Sequence, residues 1–107
     1  MLRSFLRPCL LMFLSEEPAY GYQLLVNLQE IGLDAADPGT LYRTLHTLEH
    51  DGLVKSRWAQ SELGPRRRVY DITPAGTDAL RAEADVLMSH EHTLTAFLDR
   101  YGRIPAR

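Results

Sequence analysis

Two dipeptides of the same kind, Asp37-Pro38 and Thr73-Pro74, do most to limit what this chain can fold into. In each, a side chain able to accept from free helix-end amides precedes a proline. The proline's fixed φ and missing N–H suit the first helical position, so a helix opens at each site. The earlier of the two runs to about His50 and ends before Gly52, with Leu41, Leu45 and Leu48 as its inward stripe. At ~100° per residue, Gly39, Arg43, His46, Thr47 and His50 point the opposite way. Beyond Gly52, Leu53-Val54-Lys55-Ser56-Arg57-Trp58 reads as a strand by its β-branched and aromatic residues. Ser61-Glu62-Leu63-Gly64-Pro65 reads as a turn and Arg68-Val69-Tyr70-Asp71-Ile72 as the returning strand. Arg66, Arg67 and Arg68 occupy the tip and returning base of this hairpin.

Two further helices precede these elements. The first runs from near Leu2 or Pro8 to about Glu16, with Pro8 either in its first turn or kinking a longer helix. Its apolar stretch Pro8–Leu14 is about half a membrane span, is closed by Glu16-Glu17-Pro18 and lacks a small-residue cleavage site. It is expected to be a core helix, with no membrane partner. The second helix spans about Tyr20 to Ile31, carries Leu24, Leu25, Leu28 and Ile31 at helical spacing, and stops at Gly32.

The helix opened by Thr73-Pro74 is expected to reach Asp99 or Tyr101. Leu80, Ala84, Leu87, Glu91, Leu94 and Leu98 alternate steps of four and three, a heptad-like seam interrupted by one acid. About 26 residues at ~1.5 Å each give roughly 40 Å, longer than so small a domain can cover. The surplus stripe needs a second chain, most simply another copy under two-fold symmetry. Leu80, Ala84, Leu87, Leu94 and Leu98 are therefore the expected dimer interface.

With 107 residues, 45% hydrophobic and 24% charged, the chain suits one globular domain. The single Cys9 excludes an internal disulfide, fits a reducing cytoplasm and reads as a small buried hydrophobe. The net charge of -2 hides a local asymmetry. From Leu53 to Ile72, Lys55, Arg57, Arg66, Arg67 and Arg68 face only Glu62 and Asp71. From Thr73 to Asp99, Asp78, Glu83, Asp85, Glu91 and Asp99 face only Arg81. One basic element on an otherwise acidic chain is an electrostatic footprint for nucleic acid.

The element order is that of a mainly α winged helix-turn-helix: three helices and a two-stranded β-wing over residues 1–73. A long C-terminal dimerisation helix with its tail fills 74–107. A helix about 10–12 Å across fits a major groove ~12 Å wide. On the outward face of the third helix, Arg43 is the bidentate donor for guanine, and Thr40 near its start can donate to phosphate. The hairpin arginines reach the flanking minor groove or backbone. The expected function is sequence-specific binding of a palindromic double-stranded operator by a homodimeric repressor. A winged-helix module that binds protein through the same surface is the alternative.

The residues Tyr20-Gly21-Tyr22-Gln23-Leu24, Gly39-Thr40-Leu41-Tyr42, then Leu45, Leu48, Glu49, Gly52 and Leu53 occur in order. They are followed by Gly64-Pro65, the arginine run, Tyr70, Thr73 and Gly76. In this set the chain resembles the PadR family of bacterial transcriptional regulators over nearly its whole length, in the family's shorter size class. The resemblance implies a homodimeric repressor whose first and last helices form the dimer surface. By position it implies phosphate contacts from Thr40 and Tyr42, bases for Arg43, with Thr47 on the same face, and wing contacts from Arg66, Arg67 and Arg68. Arg43 departs from the proline common in the family, so its role rests on geometry.

His46-Thr47-Leu48-Glu49-His50 spells H-x-x-E-H, a string also found in zinc peptidases. It falls on the proposed recognition helix with Leu48 as core and no third ligand nearby, so neither a metal nor another cofactor is expected. A zinc-dependent peptidase working through His46, Glu49 and His50 is the remote alternative. Neighbouring positions on a helix point ~100° apart, so His90 and His92 cannot chelate one ion within a chain. Across a dimer they remain open as a pair. A small-molecule effector, of unknown identity, is also open. Trp58 lies in the wing strand and is expected to pack the hairpin onto the core. Phe97 and Tyr101 serve either a pocket between the final helices or core and dimer packing.

Overall fold

The computed structural model describes the backbone of residues 2–33, 37–60 and 64–106, and the side chains from Phe5 onward. The order is α1 (Leu2–Glu16), β1 (Ala19–Tyr20), α2 (Gly21–Glu30), α3 (Pro38–His50), β2 (Val54–Ala59), β3 (Arg67–Ile72) and α4 (Pro74–Gly102). Both proline signals mark helix starts. Asp37 accepts from the Thr40 amide at 2.8 Å, and Thr73 Oγ1 accepts from the Gly76 amide at 3.0 Å. Gly32 and Gly52 close α2 and α3 at φ of 95° and 78°, where a side chain would be strained. The helix α1 begins upstream of Pro8 and continues through it, with the ring buried.

The core lies where α1, α2 and α3 converge. Leu10, Leu11, Leu24, Leu28, Leu41, Leu45 and Leu48 are each fully enclosed. Every such leucine stabilises the fold by about 1.5–3 kcal/mol relative to an exposed one. Cys9 is buried among them, and burial pushes its thiol pKa up, as befits an inert small hydrophobe. Ile31 departs from the expected α2 stripe: it is 47% exposed, because the helix ends at Glu30 and Ile31 lies in the capping turn.

The hairpin pairs Val54 with Ile72 through to Ala59 with Arg67. A third strand, too short for any periodicity to reveal, joins it: Ala19 and Tyr20 pair with Tyr70 and Val69, giving the order β1-β3-β2. This strip ties the wing's base to the segment between α1 and α2. The expected turn residues Ser61, Glu62 and Leu63 lie outside the described residues.

The helix α4 begins on the domain and leaves it. Leu80 packs against the core and Glu83 accepts from Arg7 Nε of α1 at 2.9 Å. Every residue from Met88 to Ala106 is exposed. The radius of gyration is accordingly 17.2 Å, against about 13 Å for a compact domain of ~100 residues.

Candidate nucleic-acid interface

The surface built by α3 and the wing begins with the cap of α3. Asp37 takes two bonds from Thr40, one from its amide and one from its hydroxyl at 3.0 Å, and Arg43 Nη2 donates to Thr40 Oγ1 at 3.2 Å. The Thr40 amide and hydroxyl, with the Arg43 charge, hold the Asp37 carboxyl below its ordinary range. The cap therefore contributes at and above the usual carboxylate range and is lost as pH falls through this lowered value. Thr40 spends its hydroxyl proton on Asp37, so contact with a phosphate requires the cap bond to exchange. Arg43 is exposed at the end of this chain with most of its donors unused. Thr47, also exposed, returns its hydroxyl to the Arg43 carbonyl at 3.1 Å.

Tyr42 is 47% exposed, its ring lying across the start of α2. A Cβ at Gly21 would fall 2.6 and 2.7 Å from two of that ring's carbons, so a side chain there would displace the outer end of Tyr42. Gly21 thus makes the seat for a tyrosine on the next helix.

The three wing arginines divide between two faces. Strand alternation puts Arg66 and Arg68 on one side and Arg67 on the other. Arg66 and Arg68 lie over the Trp58 ring at 5.4 and 4.9 Å, while Arg67 lies over Tyr22 at 5.4 Å, itself stacked on Tyr20. These are cation–π distances. Trp58 does not pack the hairpin onto the core: it is 53% exposed and supports arginines instead. Val54, Ser56 and Trp58 share one face of β2, but only Val54, at the strand's start, lies over the core, while Trp58 is carried out along the wing.

Ser56 was not singled out by sequence, yet it joins helix to wing. Its Oγ donates to Glu49 Oε2 of α3 and accepts from Arg68 Nε, both at 2.7 Å. The bond holds Arg68 over Trp58. The even spacing of Ser56 and Trp58 on one strand face was the available signal; their partnership with Glu49 depends on the fold. Between α3 and the wing lies a cleft of about 500 Å³ lined by Tyr42, His46, Glu49, His50, Arg68 and Tyr70. Glu49 is thus engaged with the wing. Among the described residues, no three His, Cys, Asp or Glu side chains form a group that could hold a metal ion.

The expected dimer residues fall in two sets. Leu80, Ala84 and Leu87 are partly covered by their own domain, whereas Leu94 and Leu98 are 51% and 60% exposed. Phe97, Tyr101 and Ile104 join the outer set, exposed at 64%, 66% and 61%. At ~100° per residue, Leu94, Phe97, Leu98 and Tyr101 fall within an arc of about 100°, and Ile104 follows just past the helix end. His90 lies within that arc and His92 on the opposite side; both are exposed.

Comparison with known proteins agrees with this architecture. Residues 10–82 match the Transcriptional regulator PadR-like family. A transcriptional regulator of Mycobacterium tuberculosis, Rv3488, is 39% identical over 85 residues, covering 79% of this chain and 78% of that protein. The PadR-like transcriptional regulator of Bacillus cereus superimposes with a TM-score of 0.83 at 30% identity, covering 92% of this chain and 95% of that one. A PadR family regulator from Clostridium difficile shares the fold alone, with a TM-score of 0.79 at 24% identity over 88% of this chain and 98% of that one. Family and relatives are transcriptional regulators, which are not enzymes. The chain belongs to the PadR-like family of transcriptional regulators, built on a winged helix with an extended final helix.

Proposed function

We propose that the protein is a homodimeric repressor that binds a palindromic operator, with residues 1–73 as the DNA-binding unit and 74–107 as the dimerisation element. The observation that carries this reading is one groove bordered on both sides: the exposed face of a proline-capped helix on one, ring-supported arginines on the other. In this reading α3 enters the major groove, Arg43 takes a base, and Tyr42, Thr40 and Thr47 meet the backbone beside it. Arg66, Arg67 and Arg68 grip the flanking backbone or minor groove from both faces of the wing. The outer half of α4 pairs with a second copy through Leu94 and Leu98, continued toward the domain by Leu87, Ala84 and Leu80. A cytoplasmic location fits such a role, and no described helix is long and apolar enough to cross a membrane.

Selection of bound genomic duplexes tests the reading directly by recovering an operator or none. On that operator, Arg43→Ala should cost about 1–3 kcal/mol while sparing much of the non-specific binding. Equal weakening on scrambled DNA would reassign Arg43 to phosphate.

The wing carries a separate expectation. Alanine at Arg66 and Arg67 should weaken binding to every sequence and flatten the plot of log K against log salt by about 0.9 per lost phosphate contact. An unchanged slope would take the wing off the backbone.

A further inference from the structure

The H-x-x-E-H string acquires a use in the cleft between α3 and the wing. His46 and His50 are one helical turn apart and both exposed on the cleft's helical wall. Arg68 faces them from β3, with Nε committed to Ser56 and no hydrogen bond from its terminal amines among the described residues. The ion pairs among the described residues, Arg7 with Asp51 and with Glu83, do not involve it. Tyr42 and Tyr70 complete the lining. Among the described residues Glu49 is the one acid lining it, and its carboxylate is drawn toward the wing by the Ser56 hydroxyl. Two imidazoles and a guanidinium around an open cleft, next to a helix face proposed to meet DNA, fit a phosphodiester.

We infer that His46, His50 and Arg68 clamp one backbone phosphate per half-site in this cleft, so that the protein holds its operator more tightly as pH falls. The inference rests on the DNA-binding reading above. Histidine is the side chain whose ordinary titration lies in the neutral range. The charged and titratable groups that share the cleft with these two histidines are Glu49 of α3 and Arg68 of β3, with Tyr42 and Tyr70 beside them. A bound phosphate adds negative charge on the side facing Arg68 and so raises proton affinity in the complex. The sign follows: affinity is greatest where the free imidazoles are already protonated, and declines as pH rises between the free and bound titrations. Coupling to one proton changes affinity about tenfold per pH unit across that interval.

The test is operator binding by fluorescence anisotropy between about pH 6 and pH 8 at constant ionic strength. The unmodified protein should lose affinity across the range, by as much as about tenfold per pH unit where one proton is taken up. The His46→Gln/His50→Gln variant should bind with little dependence on pH, at or below the unmodified protein's alkaline affinity. Calorimetry in two buffers of different ionisation enthalpy should count the protons taken up, and the count should vanish in the variant. Operators with a neutral methylphosphonate at single positions identify the contact: one position per half-site should remove the pH dependence. Equal affinity at both ends of the range would overturn the clamp and leave the DNA-binding reading standing. So would an undiminished slope in the variant or in every methylphosphonate duplex. Recovery of no bound duplex at either pH would sink both.

Discussion

Leu94→Asp should leave the chain folded and all but abolish operator binding, although it touches no residue of the DNA surface. In the single chain Leu94 is half exposed, so an aspartate there stays solvated and the domain keeps its own packing. In the proposed dimer the same carboxylate is buried opposite its symmetry mate, at a cost of several kcal/mol. Two recognition helices joined by α4 reach half-sites ~34 Å apart on one face of the duplex, while a lone protomer holds only one. Sedimentation at micromolar concentration should show a monomer with an unchanged circular dichroism spectrum. A variant that stays dimeric with full operator affinity would remove the outer half of α4 from the interface. Leu87 is less decisive, because its own domain partly covers it and a charge there also strains the protomer.

Gly76→Ala should be the most destabilising single-methyl change in the chain. Gly76 is buried in the first turn of α4, and an added Cβ overlaps the Leu53 carbonyl oxygen and lies 2.7 Å from Ile72 Cγ1. The oxygen is backbone and cannot rotate aside, since it already accepts from the Thr73 amide at 3.1 Å. Thr73 Oγ1 meanwhile donates to the Gly52 carbonyl at 2.6 Å. Relief therefore means lifting the start of α4 from the turn after α3, with loss of both bonds and of the Thr73 cap. Overpacking of this kind costs typically about 1–3 kcal/mol, and a lost cap about 1 more. At roughly 4–8 °C per kcal/mol for a domain near this size, Tm should fall by 10 °C or more. Gly102→Ala is the control: nothing lies within 4 Å of a Cβ there, and helix propensity favours alanine. A Gly76→Ala protein that melts with the parent would show that α4 does not bear on the Leu53 turn.

The caps at Asp37 and Thr73, the stops at Gly32 and Gly52, and the leucine stripe of α3 were legible because each is local. A cap needs neighbours three residues away, and a stripe needs only the helical repeat. The hairpin was legible for the same reason, its two strands being adjacent in sequence. The strand at Ala19–Tyr20 was not, since two residues have no period and its partners, Val69 and Tyr70, are distant along the chain. Trp58 was misread because hydrophobicity alone sends a tryptophan inward. Its ring instead lies on the strand face that also carries Arg66 and Arg68, and cations over the ring compensate for its exposure.

Where helices start and stop, which face of α3 is apolar, and the gathering of positive charge on one hairpin all follow from the order of residues. These properties depend on neighbours within a few residues, which composition and spacing carry. Packing in three dimensions sets which side chain supports which arginine, links Glu49 to Arg68 through Ser56, and brings His46 and His50 into a cleft with the wing. It also decided how the α4 seam divides, with Leu80 on its own domain and Leu94 and Leu98 exposed beyond it. Those outcomes require elements far apart in the chain to meet at a fixed distance and angle. Glycines at positions 21 and 76 permit two of those close approaches, and their effect exists only once the opposing elements arrive.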